Sequence, residues 1–210
     1  MKTLIISSLV IILAFTEVKA QNDSIPINNL LDELSTNEET IALLPDKMII
    51  SQRILWGERG MMRNFNRFEL TPSNRQNELK VRRFMLVSHQ ALGLATLGGM
   101  VAQGIVGAKL YNGATNLKDL HETLAIAVNT GYFTTASLSL FAPPKMLNER
   151  KGYSSIKIHK TLAIIHLSSM IATNILAGII ESKPEYRPYH RASAYTAFGA
   201  YTLSMIVIKF

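Results

Sequence analysis

Residues 84–108, FMLVSHQALGLATLGGMVAQGIVGA, carry no charged side chain and a single histidine. Residues 120–141, 156–180 and 192–208 follow as three more apolar stretches, each with a histidine within or just before its first turns. A bilayer-spanning helix needs about 20 predominantly apolar residues. The first three stretches satisfy that length and the fourth reaches its lower limit. Residues 109–118, 143–155 and 181–189 connect them, with Asn112-Gly113, Pro143-Pro144, Pro184 and Pro188 as turn chemistry. Connections this short make consecutive helices antiparallel neighbours. The expected fold class is all-α: an integral membrane, up-down four-helix bundle with an exported N-terminal segment. Thr71-Pro72 predicts the start of an extended first helix, Asn116 and Ser154 or Ser155 cap the second and third, and Pro188 suits the first turn of the fourth.

Composition agrees with that class. The 210 residues are 48% hydrophobic and 18% charged, with a formal net charge of +7 and no cysteine. Low charge density with high apolar content argues against a disordered chain and against a nucleic-acid-binding basic domain. The lack of cysteine excludes a disulfide framework, iron–sulfur ligation, a thiolate zinc site, a thiol nucleophile and covalent c-type haem attachment.

Residues 1–20 combine Lys2, a short apolar run and small residues at Val18 and Ala20, the pattern of a secretory signal cleaved after Ala20. An uncleaved anchor is the alternative. Residues 21–80 are polar, with Leu30, Leu31, Leu34 and then Ile41, Leu43 and Leu44 hinting at a short amphipathic helix, and sixty residues are few for an independent core. This segment is expected to pack onto something larger, with the stretch around Trp56 docking or lying at a membrane interface. An exported N-terminus, periplasmic in a bacterium, puts Arg82, Arg83, Lys145, Arg150 and Lys151 outside, against the usual excess of cations in the cytoplasm. The signal sequence decides the orientation here.

A titratable ring inside lipid is costly and is a functional hypothesis by default. His89, His121, His159 and His190 each fall at the beginning of a different stretch. Because alternate helices reverse direction, His89 can meet His159 near one face and His121 can meet His190 near the other. Four positions after each histidine stands a small residue: Gly93, Ala125, Ala163 and Ala194. That position lies one turn along the same helix face, so a flat macrocycle held by the histidine finds room there. Small residues also serve close helix packing, and a single intramembrane histidine is more often an interhelical bond. The fourfold repetition favours the ligand reading.

Pairs of imidazoles at two depths poorly satisfy a tetrahedral zinc site, which wants four ligands at one point. Two imidazoles on one axis do complete a haem iron, whose porphyrin supplies the other ligands. Two b-type haems follow, one on His89/His159 and one on His121/His190. Arg83, Lys118 and Arg191 stand near the proposed haem edges, where they can pair with propionates or simply reach the interface. With both axial positions taken by protein, electron transfer is the natural chemistry.

Helix number, histidine order and depth over residues 84–210 resemble the cytochrome b561 family, in which four core helices carry two haems, first paired with third and second with fourth. The resemblance implies that His89, His121, His159 and His190 are axial ligands. It also implies transmembrane electron flow from an ascorbate- or quinol-like donor to an acceptor such as a ferric chelate or another haem, as in a membrane oxidoreductase. No ascorbate-binding motif matches, and the mature chain has four spans where larger members have more.

His166, seven residues beyond His159, replaces it as ligand, tunes the haem or bonds another helix; the last two are preferred. Gln103, Asn129, Tyr132, Asn174 and Tyr201 read as interhelical polar contacts. Two other functions compete. A non-enzymatic membrane scaffold or subunit would use its histidines as interhelical hydrogen bonds. A metal-ion transporter would need carboxylates near the midplane, which the stretches scarcely supply. The partners expected are membrane lipid, an electron donor and acceptor, and a homodimer mate or redox protein, with no nucleic acid.

Overall fold

The computed structural model describes residues 42–146 and 154–209. The proposed signal at residues 1–20, the apolar residues Leu30, Leu31, Leu34 and Ile41 and the cations Arg150 and Lys151 lie outside the described residues, while Leu43 and Leu44 are described and lie in a bend rather than the expected short helix. Among the described residues the structure is helical, without strands. Helix α1 is Ile50–Trp56, α2 Pro72–Tyr111, α3 Lys118–Leu140, α4 Ser155–Ile179 and α5 Arg187–Lys209, with short 3-10 turns between several of them.

Local chemistry sets most of these ends. The Thr71 side chain accepts from the Asn74 N–H at 3.3 Å, with Pro72 as the first helical residue, so α2 starts where an N-cap and a pre-set φ coincide. Ser154 accepts from the Lys157 N–H in the same way at the start of α4. Gly113, at φ +102°, turns the chain after α2, a conformation open to glycine and costly for other residues. The expected cap at Asn116 is not made. A 3-10 turn over Thr115–Leu117 leads directly into α3, whose first residue follows Leu117 without any side-chain cap.

Helices α2 and α3 pack as one antiparallel hairpin and α4 and α5 as another, with α2 also touching α5. The helices α2 and α4 are long and apolar enough to cross a membrane. The helices α3 and α5, each of 23 residues, have the length but not the hydropathy. Asn129, Thr130, Thr134, Thr135 and Ser137 interrupt α3, while Arg187, Arg191 and Ser193 lower α5. Much of what these helices present outward is nevertheless apolar: Phe84, Leu94 and Ile105 on α2, Ile126 on α3, Ile164 and Ile175 on α4, and Leu203 on α5 are exposed. Inside are Met100, Val128, Met170 and Tyr201, together with the polar Thr96, Tyr132, Thr135, His166 and Ser204.

The segment before α2 closes one end of this arrangement. A helix leaves its last carbonyls without partners, and the end of α3 runs into Pro143-Pro144, which cannot continue it. The segment supplies the missing donors: Ser51 Oγ to the Leu140 carbonyl at 2.6 Å, Trp56 Nε1 to Phe141 at 2.9 Å and Gln52 Nε2 to Ala142 at 3.1 Å. From α2, Arg82 donates to the Pro143 carbonyl at 2.6 Å and Arg75 to that of Pro144 at 3.0 Å. Glu78, fully buried, pairs with both Arg75 and Arg63. Arg63 in turn donates to the carbonyls of Trp56, Gly57 and Phe68. Helix α2 passes through Lys80 unbroken, so this collar and the histidine-bearing stretch share one rod.

Removing one partner from a buried ion network strands the others, at a cost of about 3–5 kcal/mol. Glu78→Gln is therefore expected to lower the thermal unfolding temperature of the detergent-solubilised protein markedly. Lys118→Ala, which removes an exposed pair with Glu122, is expected to move it little.

Candidate functional site

Three of the four expected ligand histidines are held in one manner. His89 on α2 lies with Nδ1 2.8 Å from the Thr135 carbonyl of α3. His159 on α4 has Nδ1 2.9 Å from the Ser204 carbonyl of α5, and His190 on α5 has Nδ1 3.0 Å from the Thr173 carbonyl of α4. A carbonyl only accepts, so Nδ1 carries the proton in all three rings and Nε2 is left as a free lone pair. This is the tautomer a metal-binding imidazole requires, with its other nitrogen held by a neighbouring oxygen. Each bond stays within a hairpin.

Across the hairpins, the His89 and His159 rings meet with centroids 6.3 Å apart and planes at 82°. No comparable ring contact joins His121 to His190 among the described residues. His121 is placed differently from the other three. Its Nε2 is 3.3 Å from the Gln103 side-chain nitrogen, and its Nδ1 is buried without a partner.

One to two turns inward from the His89–His159 pair, here the upper pair with His121 and His190 the lower, is a layer of polar aromatic groups. The Tyr132 hydroxyl and His166 Nδ1 are 2.5 Å apart, joining α3 to α4. Tyr201 packs edge-on against His166 at 5.1 Å and donates its hydroxyl to the Gly93 carbonyl at 3.1 Å. Further along, Asn129 and Asn174 exchange side-chain amide bonds at 2.9 and 2.8 Å. His166 and the five polar residues singled out with it thus all bond to another helix.

The four small residues occupy varied surroundings. Gly93 is buried, and a Cβ there would touch the Tyr201 hydroxyl at 3.4 Å and Thr135 Cγ2 at 3.6 Å, ordinary contact distances. Ala125, Ala163 and Ala194 are half-buried. The three cations are surface groups. Arg83 is exposed, Lys118 is 3.5 Å from Glu122, and Arg191 lies over the Tyr111 ring at 4.5 Å and near that of Tyr195 at 5.4 Å. Lys118 and Arg191 are thus already engaged with neighbours at the opposite end from the collar.

Among the described residues no three His, Cys, Asp or Glu side chains gather as an all-protein metal site. His89 and His159 come together as a pair. Comparison with protein-family models, with curated proteins and with solved structures finds no match to the chain.

The Tyr132–His166 bond is the shortest polar link between the hairpins described above. Tyr132→Phe leaves a buried imidazole nitrogen unpaired and is expected to cost about 1–3 kcal/mol. Thermal unfolding in detergent measures it, and an unchanged midpoint would show that the bond contributes nothing net.

Proposed function

We propose that this chain is a four-helix transmembrane b-type cytochrome with two haems, similar to the cytochrome b561 family, that carries electrons between the faces of a membrane. The observation that carries the reading is the His89–His159 pair. Two imidazoles bonded at about 2 Å to opposite sides of one metal hold their ring centroids roughly 6 Å apart. These rings stand at 6.3 Å, with each Nδ1 on a carbonyl. The spacing of this one pair therefore suits the group, while His121 and His190 make no such ring contact among the described residues. His89 and His159 would hold the upper haem, and His121 and His190 the lower.

The surroundings support a membrane setting for all four long helices. Outward apolar side chains, with histidine, tyrosine and threonine buried beside Met100, Val128 and Met170, suit a bundle in lipid better than one in water. An exported N-terminal segment then places the collar on the outer side.

Haem bound in such a site supplies one-electron redox chemistry. The chain's own residues do the rest. A histidine from each hairpin would hold each haem, and a group held by two protein side chains would supply electron transfer rather than oxygen activation. The Thr135, Ser204 and Thr173 carbonyls fix three of the rings in the ligating tautomer. The helices set the spacing: from His159 to Thr173, whose carbonyl marks the lower level, is about 21 Å of helix. A quinol- or ascorbate-like donor at one face and an acceptor at the other complete the reading, with reductase activity at the acceptor face.

The bonds from histidine to neighbouring helices also favour a second reading, a non-enzymatic scaffold in which these rings only tie helices together. The two separate on one measurement. Protein purified from haem-replete cells is expected to show a reversible reduced-haem spectrum, with about two haems per chain and about one after His159→Gln. A colourless preparation that is folded, or a His159→Gln variant with unchanged haem content, rejects the cytochrome.

A further inference from the structure

We infer that Gln103 is a positioning residue of the lower site: it engages the nitrogen of His121 that iron would need, so the lower pair takes haem after the upper one. The inference rests on the haem reading above and adds an order of filling to it.

His89, His159 and His190 each bind a carbonyl through Nδ1 and keep Nε2 free. His121 has the reverse arrangement. Its Nε2 lies 3.3 Å from the Gln103 side-chain nitrogen. An amide nitrogen only donates, so Nε2 is the acceptor and Nδ1 carries the proton. That Nδ1 is buried with no partner, and so is Gln103 Oε1. The ring is seated against α2 where a side chain is missing: a Cβ on Gly107 would lie 2.8 Å from His121 Cε1.

The tautomer of His121 therefore suits a ligand, but its lone pair is taken. To bind iron it must give up the Gln103 amide, which then loses its acceptor. Its N–H also lacks the hydrogen bond that strengthens the other three rings as donors. Both differences weaken the lower site relative to the upper, where the two rings stand 6.3 Å apart with each Nδ1 on a carbonyl. Gly107 decides where the His121 ring can lie, and Gln103 decides what its lone pair does before haem arrives.

The test uses the full chain made in haem-deficient cells, purified in detergent and titrated with haemin. Absorbance and the low-spin paramagnetic resonance signals are read, and neither depends on electron-transfer activity. His159→Gln and His190→Gln assign the signals to the upper and lower sites. In the unmodified chain the first equivalent should produce the signal that His190→Gln retains. The second should bind about tenfold or more weakly. Gln103→Leu should narrow that gap, and Gly107→Ala should remove the second signal. Gly104→Ala, where a Cβ meets nothing within 4 Å, should leave both. Equal affinities, the reverse order, a gap unchanged by Gln103→Leu, or a second signal that survives Gly107→Ala overturns the inference while leaving the haem reading standing. Absence of haemin binding at both sites overturns the haem reading, and this inference with it.

Discussion

A neutral imidazole between helices has one N–H, and in a dry interior that proton must find an oxygen. Helix carbonyls already accept a bond from their own helix, but each has a second lone pair. His89, His159 and His190 use that spare capacity on the adjacent helix of their hairpin. The bond fixes three things together: the ring's tautomer, its rotation, and the register of one helix against the next. A one-residue slip between α2 and α3 would move the Thr135 carbonyl away from His89. The placement of the upper ring pair depends on these internal bonds, because a ring that turned freely would not keep a fixed distance from its counterpart.

Between the hairpins the chain relies on side chains. Tyr132 with His166, Asn129 with Asn174, and Tyr201 with the Gly93 carbonyl tie the two halves at successive depths. Such bonds matter more where apolar surroundings offer no competing water. Val128, Met170 and Met100 fill the space between them. The halves are thus joined through a limited set of polar contacts, whereas each hairpin is close-packed along its length.

Much of the helical plan was legible in the sequence because it rests on local signals: apolar length, Thr71-Pro72, Ser154 and the glycine at position 113. The meeting of His89 with His159 followed from alternating helix direction alone. What escaped was chemistry without a residue-type signature. Every residue has a carbonyl, so nothing in Thr135, Thr173 or Ser204 marks them as histidine acceptors. Arg63, Arg75 and Glu78 look like solvated charges, and only the fold reveals that they are buried around the end of α3. Asn116 looked like a cap because sequence spacing does not reveal an intervening 3-10 turn. Gln103 was visible as a polar residue in an apolar stretch, but its partner lies on another helix and at a different position in the chain. The hydropathy of α3 and α5 was overread, since their inward hydroxyls and amides count against a span in any window average.

The unbroken run of α2 has a mechanical corollary. Its 40 residues make a rod about 60 Å long, roughly twice the hydrocarbon thickness of a bilayer. Glu78, clasped in the collar, and His89, facing the opposite hairpin, are fixed to that rod about 16 Å apart. A tilt of a few degrees at that end would swing the imidazole by about an ångström, so the clasp acts as an anchor that keeps a lever still.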